Sequence, residues 1–416
     1  MAHAQKRIVI VGAGFGGVYA HRYLHRAFHN SKHISISVVN EQNYFLFTPL
    51  LHEVATGGQP RDNIVESLRS ELCCLSDLYV ERAKEVDPKK RIIAVDGREV
   101  PYDYLVLAPG AGTNFFGTPG AEKHAFTLKS VHDAIALKNH IIRCIENASH
   151  QEQCKERESR LSFVVVGGGA TGVELCAELI EFAKSAFAPL YPNIDLARNV
   201  RVILVQSNEE LIPQFHPKLR KKAYGILRKK GIDIRLNTKV SRVTEDSVTF
   251  DNKETIQTRT VVWTAGVSPR IVPFTDGATL AENGAYKVNQ YLQLEHRQNI
   301  FALGDAAFFV NAGEEKPVPQ HAQTAVAQAR QVADNIIRSI KKQPLKAYRY
   351  THKGDLISLG RWRAAGEIFG ITFSGRFAWW LWRTVYLFAL LSWRKKVLVA
   401  VDWTLNIFAK RDISEL

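Results

Sequence analysis

Two glycine clusters dominate the chemistry open to this chain of 416 residues. Gly12-Ala13-Gly14-Phe15-Gly16-Gly17 follows the apolar run Ile8-Val9-Ile10-Val11, and Gly167-Gly168-Gly169-Ala170-Thr171-Gly172 follows Phe163-Val164-Val165-Val166. Each fits G-x-G-x-x-G at a strand-to-helix turn. In such a turn the first glycine bends the chain tightly, the second admits a pyrophosphate, and the third packs helix on strand. The N–H groups at the helix start then face the phosphates. Two such turns predict two bound dinucleotides, with electrons passing between them.

Acids and amides near these turns extend the pattern. Glu41 follows the β-branched run Ile34–Val39, 24 residues past Gly17 (41 minus 17). A carboxylate at that strand end can accept both hydroxyl hydrogens of an adenosine ribose, a role that Asn40 could fill instead. Ala302-Leu303-Gly304-Asp305 reads as a strand running into a helix start. There Asp305 can meet a ribityl hydroxyl while the helix N-terminus faces phosphate.

The elements that must position these groups form an α/β chain. Both glycine turns sit in strand–turn–helix–strand units, the second strands being Ile34–Val39 and Val200–Val205. Helices are expected over about 131–148 and over Lys218–Lys230, the latter stopped by Gly231. The polar stretch Ser149–Arg160 reads as a crossing between domains. The expected division is 1–155 with 277–345 as one discontinuous dinucleotide-binding domain, 156–276 as a second, and 346–416 as a C-terminal region. The five cysteines include no C-x-x-C or C-x4-C spacing and none lies beyond residue 176, which argues against a redox dithiol or an iron–sulfur cluster. No metal site, nucleophile or nucleic-acid module is expected either. The net charge of +14 reads as a solvated basic surface or, with no nucleic-acid module found, more pointedly as a match for an anionic membrane face. A first strand beginning by residue 7 reads as leaving no room for a signal or transit peptide, so the cytoplasmic face of a bacterial plasma membrane is the expected location.

Taken together, these residues resemble the type II (single-subunit, non-proton-pumping) NADH:quinone oxidoreductases, or alternative NADH dehydrogenases. The likeness covers nearly the whole chain. Besides the fingerprints it rests on the segment 44–57 (YFLFTPLLHEVATG), Thr264-Ala265-Gly266-Val267, Ala302-Leu303-Gly304-Asp305, the segment 319–325 (PQHAQTA), His352-Lys353-Gly354 and Gly360-Arg361. The resemblance implies two Rossmann-like domains of the two-dinucleotide flavoprotein reductase type. FAD would be held by Gly12, Gly14, Gly17, Glu41, Gly304 and Asp305, and NADH by Gly167, Gly169 and Gly172. Hydride would pass from nicotinamide to flavin, and two electrons from flavin to a quinone.

The resemblance also implies two catalytic side chains. Gln323 matches the family residue at the quinone end of the flavin, where an amide can bond a quinone carbonyl. It also suits a plain helix start among small residues. Glu174 matches a position beside the flavin that is proposed to aid proton delivery, although an acid in a first helical turn is favoured by the dipole alone. Where NADH-specific members carry an acid that meets the 2′-hydroxyl, this chain has Gln206. A neutral amide does not repel a 2′-phosphate, so NADPH is expected to serve beside NADH.

The tail from 346 onward is aromatic and basic. Its apolar run 377–393 is about 17 residues long, contains Arg383 and is followed by Arg394-Lys395-Lys396. That is short and charged for a membrane span, and it suits the interfacial plane of an anionic bilayer through 375–416. A core or homodimer helix is the alternative. The quinone itself (ubiquinone, menaquinone or plastoquinone) is left open. Rival enzymes are a sulfide:quinone reductase, disfavoured by the lack of a C-terminal-half cysteine, and a ferredoxin reductase. A membrane-bound NAD(P)H-sensing flavoprotein of low turnover is the non-enzymatic rival.

Overall fold

The computed structural model describes residues 5–72, 76–409 and 411–415; the adjacent Cys73 and Cys74 lie outside them. By internal contacts the chain divides into two units, one of Met1–Leu46, Val65–Gly112 and Val267–Thr351, the other of Phe47–Ile64, Thr113–Gly266 and His352–Leu416.

The first unit is built on a five-stranded parallel sheet. Its order is Ile300–Ala302, Tyr104–Leu107, Lys6–Val11, Ile34–Asn40, Ser76–Val80. The central strand Lys6–Val11 is an apolar run because both faces of such a sheet are covered. Ile8, Val9 and Ile10 are buried. On one face helix Phe15–Phe28 packs against helix Ala322–Ile340. The latter presents a stripe of buried Ala325, Ala329, Val332, Ala333 and Ile336, spaced at three and four residues. The other face is covered by the antiparallel strands Ala83–Asp87, Ile92–Val95 and Arg98–Pro101, with Val86, Ile93, Val95 and Val100 in one core with Val9 and Val11.

The second unit repeats the plan with four parallel strands in the order Asp233–Arg235, Arg201–Val205, Ser162–Val166, Thr260–Trp263. Helix Ala170–Glu181 follows its glycine turn. Helix Pro217–Lys230 ends at Gly231, whose φ of 90° is the left-handed conformation that glycine adopts without strain. Helix Val131–Ser149 begins with a capping box between Ser130 and Asp133.

Three features differ from the sequence expectations. The residues 47–64 and 113–155, expected in the first domain, group with the second unit, and 267–276, expected in the second, group with the first. Backbone bonds Phe126 N–Val261 O (2.8 Å) and Trp263 N–Phe126 O (2.7 Å) pair the segment 113–155 with the edge strand, and His140 Nε2 meets Thr260 Oγ1 at 2.9 Å. The expected crossing 149–160 contains a helix, Cys154–Arg160, against which Arg259 docks through Glu156. After Ala302 no full helix starts. Gly304–Ala306 is a single 3-10 turn, too short to carry the dipole expected at that point.

The tail from His352 onward, expected as part of a separate region, also groups with the second unit. Antiparallel strands Gly354–Ser358, Ala364–Ile368 and Ile371–Gly375 lead into helices Arg376–Ala389 and Trp393–Phe408. Among the described residues no helix is long and apolar enough to cross a membrane.

Candidate functional site

In the first unit the glycine turn behaves as its spacing predicts. Gly12 has φ of 90°, and a Cβ there would overlap Ala108 O. A Cβ on Gly17 would overlap Gly12 O, so helix and turn close only on glycine. A Cβ on Gly14 would meet nothing within 4 Å, leaving that side of the loop open to a ligand. Gly12 N donates to Val39 O (2.8 Å), and Ala13 N donates to Asn40 Oδ1 (2.8 Å). Asn40 thus ties the loop to the next strand, and the exposed Glu41 follows it, with Arg82 Nε 3.6 Å away. Gly304 N donates to Gln328 Oε1 (2.7 Å), and Gln320 Nε2 donates to Asp305 O (2.8 Å). Gln328 is fully buried and its Nε2 has no hydrogen-bond partner among the described residues. An orphaned donor at Gly304 fits a ligand rich in acceptors, as a dinucleotide is. Gln323 is half-buried at the second residue of helix Ala322–Ile340.

The second unit repeats the hydrogen bonds and the close helix–turn contact of this loop. A Cβ on Gly172 would overlap Gly167 O, whereas one on Gly169 would meet nothing within 4 Å. Gly167 N donates to Val205 O (2.8 Å), and Gly168 N donates to Gln206 Oε1 (2.9 Å). Gln206 is therefore the counterpart of Asn40, and Ser207 the counterpart of Glu41. The Gln206 side-chain oxygen is engaged by the loop and its Nε2 donates to Glu210 O (3.4 Å), while Ser207, Asn208 and Glu209 are exposed. Glu210 is paired with Arg220.

Within the same unit lies a cluster of buried ionisable side chains. Helix Ala170–Glu181 carries Glu174, Glu178 and Glu181 at i, i+4 and i+7, one helical face. Glu174 Oε1 accepts from Ser358 N (2.9 Å). Burial, reinforced by Glu53 and Glu178, pushes its carboxyl up to about 8, so it is protonated at neutral pH. Burial also pushes His52 down to about 4. The 3.8 Å approach of His52 Nδ1 to Glu174 Oε2 is accordingly a contact between neutral groups. Burial and the Glu178 charge raise Glu53 to about 7, and Trp403 Nε1 donates to its Oε2 (2.7 Å). Glu178 is held below its ordinary range, its burial outweighed by Arg411, which donates to Oε2 at 2.5 Å.

The tail supplies half of this cluster. Trp379, Trp382 and Trp403 turn inward and are buried, with Trp382 stacked on Tyr386 at 4.6 Å. Arg383 does not face outward from the aromatic run. Its guanidinium lies 3.7 Å over Trp379 and 5.0 Å from Trp403, and it donates to Trp403 O (3.2 Å). The opposite faces of the same helices leave Phe377, Phe388, Trp393 and Phe408 each more than two-thirds exposed. Sequence reading missed Glu53, Ser358, Arg383, Trp403 and Arg411 as site residues. The visible signals were an acid inside the apolar segment 47–55 and an arginine inside the aromatic run.

Residues 6–329 match the pyridine nucleotide-disulphide oxidoreductase family, and residues 352–412 match the NDH2 C-terminal domain. A probable NADH dehydrogenase of Dictyostelium discoideum is 30% identical over 98% of this chain and 91% of its own length. The type II NADH:quinone oxidoreductase NdhA of Mycobacterium tuberculosis is 30% identical over 97% and 87%. The chain belongs to the type II NADH:quinone oxidoreductase family. Its fold agrees: NDH2 from Plasmodium falciparum, solved in complex with NADH, superposes with a TM-score of 0.88 at 20% identity, covering 99% of this chain and 100% of the other. The sulfide:quinone oxidoreductase of Aquifex aeolicus shares the fold at a TM-score of 0.75, also at 20% identity. This chain has both glycine loops within residues 6–329 and the match to the NDH2 C-terminal domain over 352–412.

Proposed function

We propose that this chain oxidises NADH, and NADPH beside it, and reduces a quinone at a membrane surface without pumping protons. The observation that carries the reading is the pair of matching glycine loops, together with a buried, protonated acid on the helix that the second loop starts. Bound FAD would supply a hydride acceptor for the nicotinamide and a two-electron donor for the quinone. Gly12, Gly14, Gly17, Glu41, Gly304 and Asp305 would hold it, and Gly167, Gly169 and Gly172 the nicotinamide nucleotide. Gln323 offers an amide to a quinone carbonyl, and Glu174 holds the proton that a reduced quinone oxygen needs. Purified protein given NADH and a short-chain quinone is expected to accumulate quinol, whereas oxidation of NADH with oxygen alone as acceptor would contradict the reading.

The loops make separable predictions. Gly17→Ala forces a Cβ into Gly12 O and is expected to yield protein without flavin absorbance and with a melting temperature several degrees lower. Gly14→Ala meets no protein atom. It is expected to melt like the parent while losing flavin on gel filtration.

Cofactor choice follows from the second loop. Neither Gln206 nor Ser207 is acidic, and Glu210 is neutralised by Arg220. A 2′-phosphate therefore meets only Glu209 as an unpaired nearby acid in this segment. NADPH is expected to be used within about a hundredfold of NADH in kcat/KM, a difference of about 2.7 kcal/mol. NADPH activity below about a thousandth of the NADH value would contradict this.

The two-faced tail supports peripheral docking of 375–416 on an anionic bilayer. The buried face anchors the helices to the unit, and the exposed aromatics with Arg394, Lys395 and Lys396 suit the interfacial region. The curated relatives include bacterial and mitochondrial proteins, so the membrane is proposed only as one that carries quinone.

A further inference from the structure

A cavity of about 190 Å³ lies within the second unit, between helix Ala170–Glu181 and the tail helices. Its walls include Glu53, Glu178, Ser358, Arg383, Trp403 and Arg411. Most of these groups are already committed. Arg411 clamps Glu178, and Arg383 is sandwiched by indoles. Glu181 is paired with Lys230 and accepts from Arg361 N at 3.0 and 2.9 Å. Glu53 is different. One of its oxygens accepts from Trp403 Nε1, it has no cationic partner within ion-pair distance among the described residues, and it borders the cavity. Ser358 joins the cavity to Glu174, since it lines the wall and donates its backbone N–H to the Glu174 carboxyl.

We propose that Glu53 takes protons from water in this cavity and reloads Glu174 after each turnover. The inference rests on the reading that Glu174 gives a proton to reduced quinone. In the step, the Glu53 O–H breaks, its proton adds to the Glu174 carboxylate, and solvent in the cavity restores the proton to Glu53; no electrons move. Glu53 is thus a positioning residue that acts through Glu174. The charged and titratable groups facing it are Glu174 and Glu178 from one helix, Arg383 from another, and Arg411 from the C-terminal segment. Burial and the Glu178 carboxylate favour its neutral form, while the two arginines and the Trp403 N–H favour its charged form. A side chain balanced in that way can both accept and release a proton near neutrality.

Infrared titration of the carboxyl C=O stretch, together with the pH profile of NADH:quinone turnover, tests this. In the parent, a buried carboxyl band is expected to titrate near pH 7, matching the value to which Glu53 is raised. Glu53→Gln should remove that band and lower turnover at pH 8 by about tenfold, with a smaller loss at pH 6 where solvent protons are abundant. Glu53→Asp should restore part of the alkaline activity. Trp403→Phe removes the donor that favours the charged form and should move both band and alkaline limb to higher pH. An unchanged band in Glu53→Gln, or a pH profile that overlays the parent's after scaling, would overturn the relay. Should that variant fail to fold, an unmoved band in Trp403→Phe overturns it equally. A parent protein that forms no quinol from NADH contradicts the function itself. A parent that does, with an overlaying Glu53→Gln profile, contradicts only the relay.

Discussion

Replacing Phe377, Phe388, Trp393 and Phe408 together by glutamate is expected to release the protein from anionic vesicles while leaving it folded. All four side chains are largely exposed, so the change removes little packing from the second unit. Each aromatic contributes roughly 1.5 kcal/mol or more when withdrawn from water, so four contribute about 6 kcal/mol. The partition constant should therefore fall by more than a thousandfold. Sedimentation with vesicles measures it, and near-UV circular dichroism checks the fold. Deleting 375–416 outright is a poorer test. It would remove Trp403 from Glu53 and Arg411 from Glu178, and would open the cavity that these residues wall. A quadruple variant that still pellets with vesicles would show that another surface docks.

Glu174→Gln carries the second large effect. The amide keeps the acceptor for Ser358 N but has no acidic proton. Loss of a positioned proton donor lowers turnover by about a hundredfold or more. Reduction of ferricyanide, which takes electrons without protons, should fall far less. The parent should itself lose quinone reductase activity as pH rises through about 8, where Glu174 ionises, and the variant should lack that limb. Stability runs in the same direction. The folded-state carboxyl titrates above its unfolded value, so the parent is favoured at low pH and loses that advantage as pH rises towards 8. Glu174→Gln should therefore gain stability relative to the parent at alkaline pH. Equal losses with quinone and ferricyanide would assign Glu174 a structural role instead.

Local features of this fold were legible in sequence, and long-range ones were not. The glycine loops could be read because each lies within one strand–turn–helix unit and its constraint is steric. The strand expected at 34–39 spans Ile34–Asn40, and the helix expected from Lys218 begins one residue earlier at Pro217. The 3-10 turn after Ala302 escaped notice because a glycine–acid pair after a strand looks the same before a helix as before a single turn. The buried cluster was out of reach for a different reason. Its bonds join residues 350 apart in Glu53–Trp403 and 233 apart in Glu178–Arg411, and nothing in local spacing announces such pairs. Arg383 shows the limit well. Its charge argued correctly against a membrane span, but only the fold reveals that the charge is stacked between two indoles inside the unit. The role of Gln206 was blurred similarly, since its side chain looks like a nucleotide reader until its bond to Gly168 N is seen.

Whether electrons from NADH reach a membrane quinone is decided by parallel counting of NADH consumed and quinol formed by the protein on quinone-loaded anionic vesicles. One quinol is expected per NADH, with no acidification of the vesicle interior. Rapid bleaching of bound flavin by NADH with no quinol formed would contradict it, leaving a reduced flavoprotein whose electrons go elsewhere.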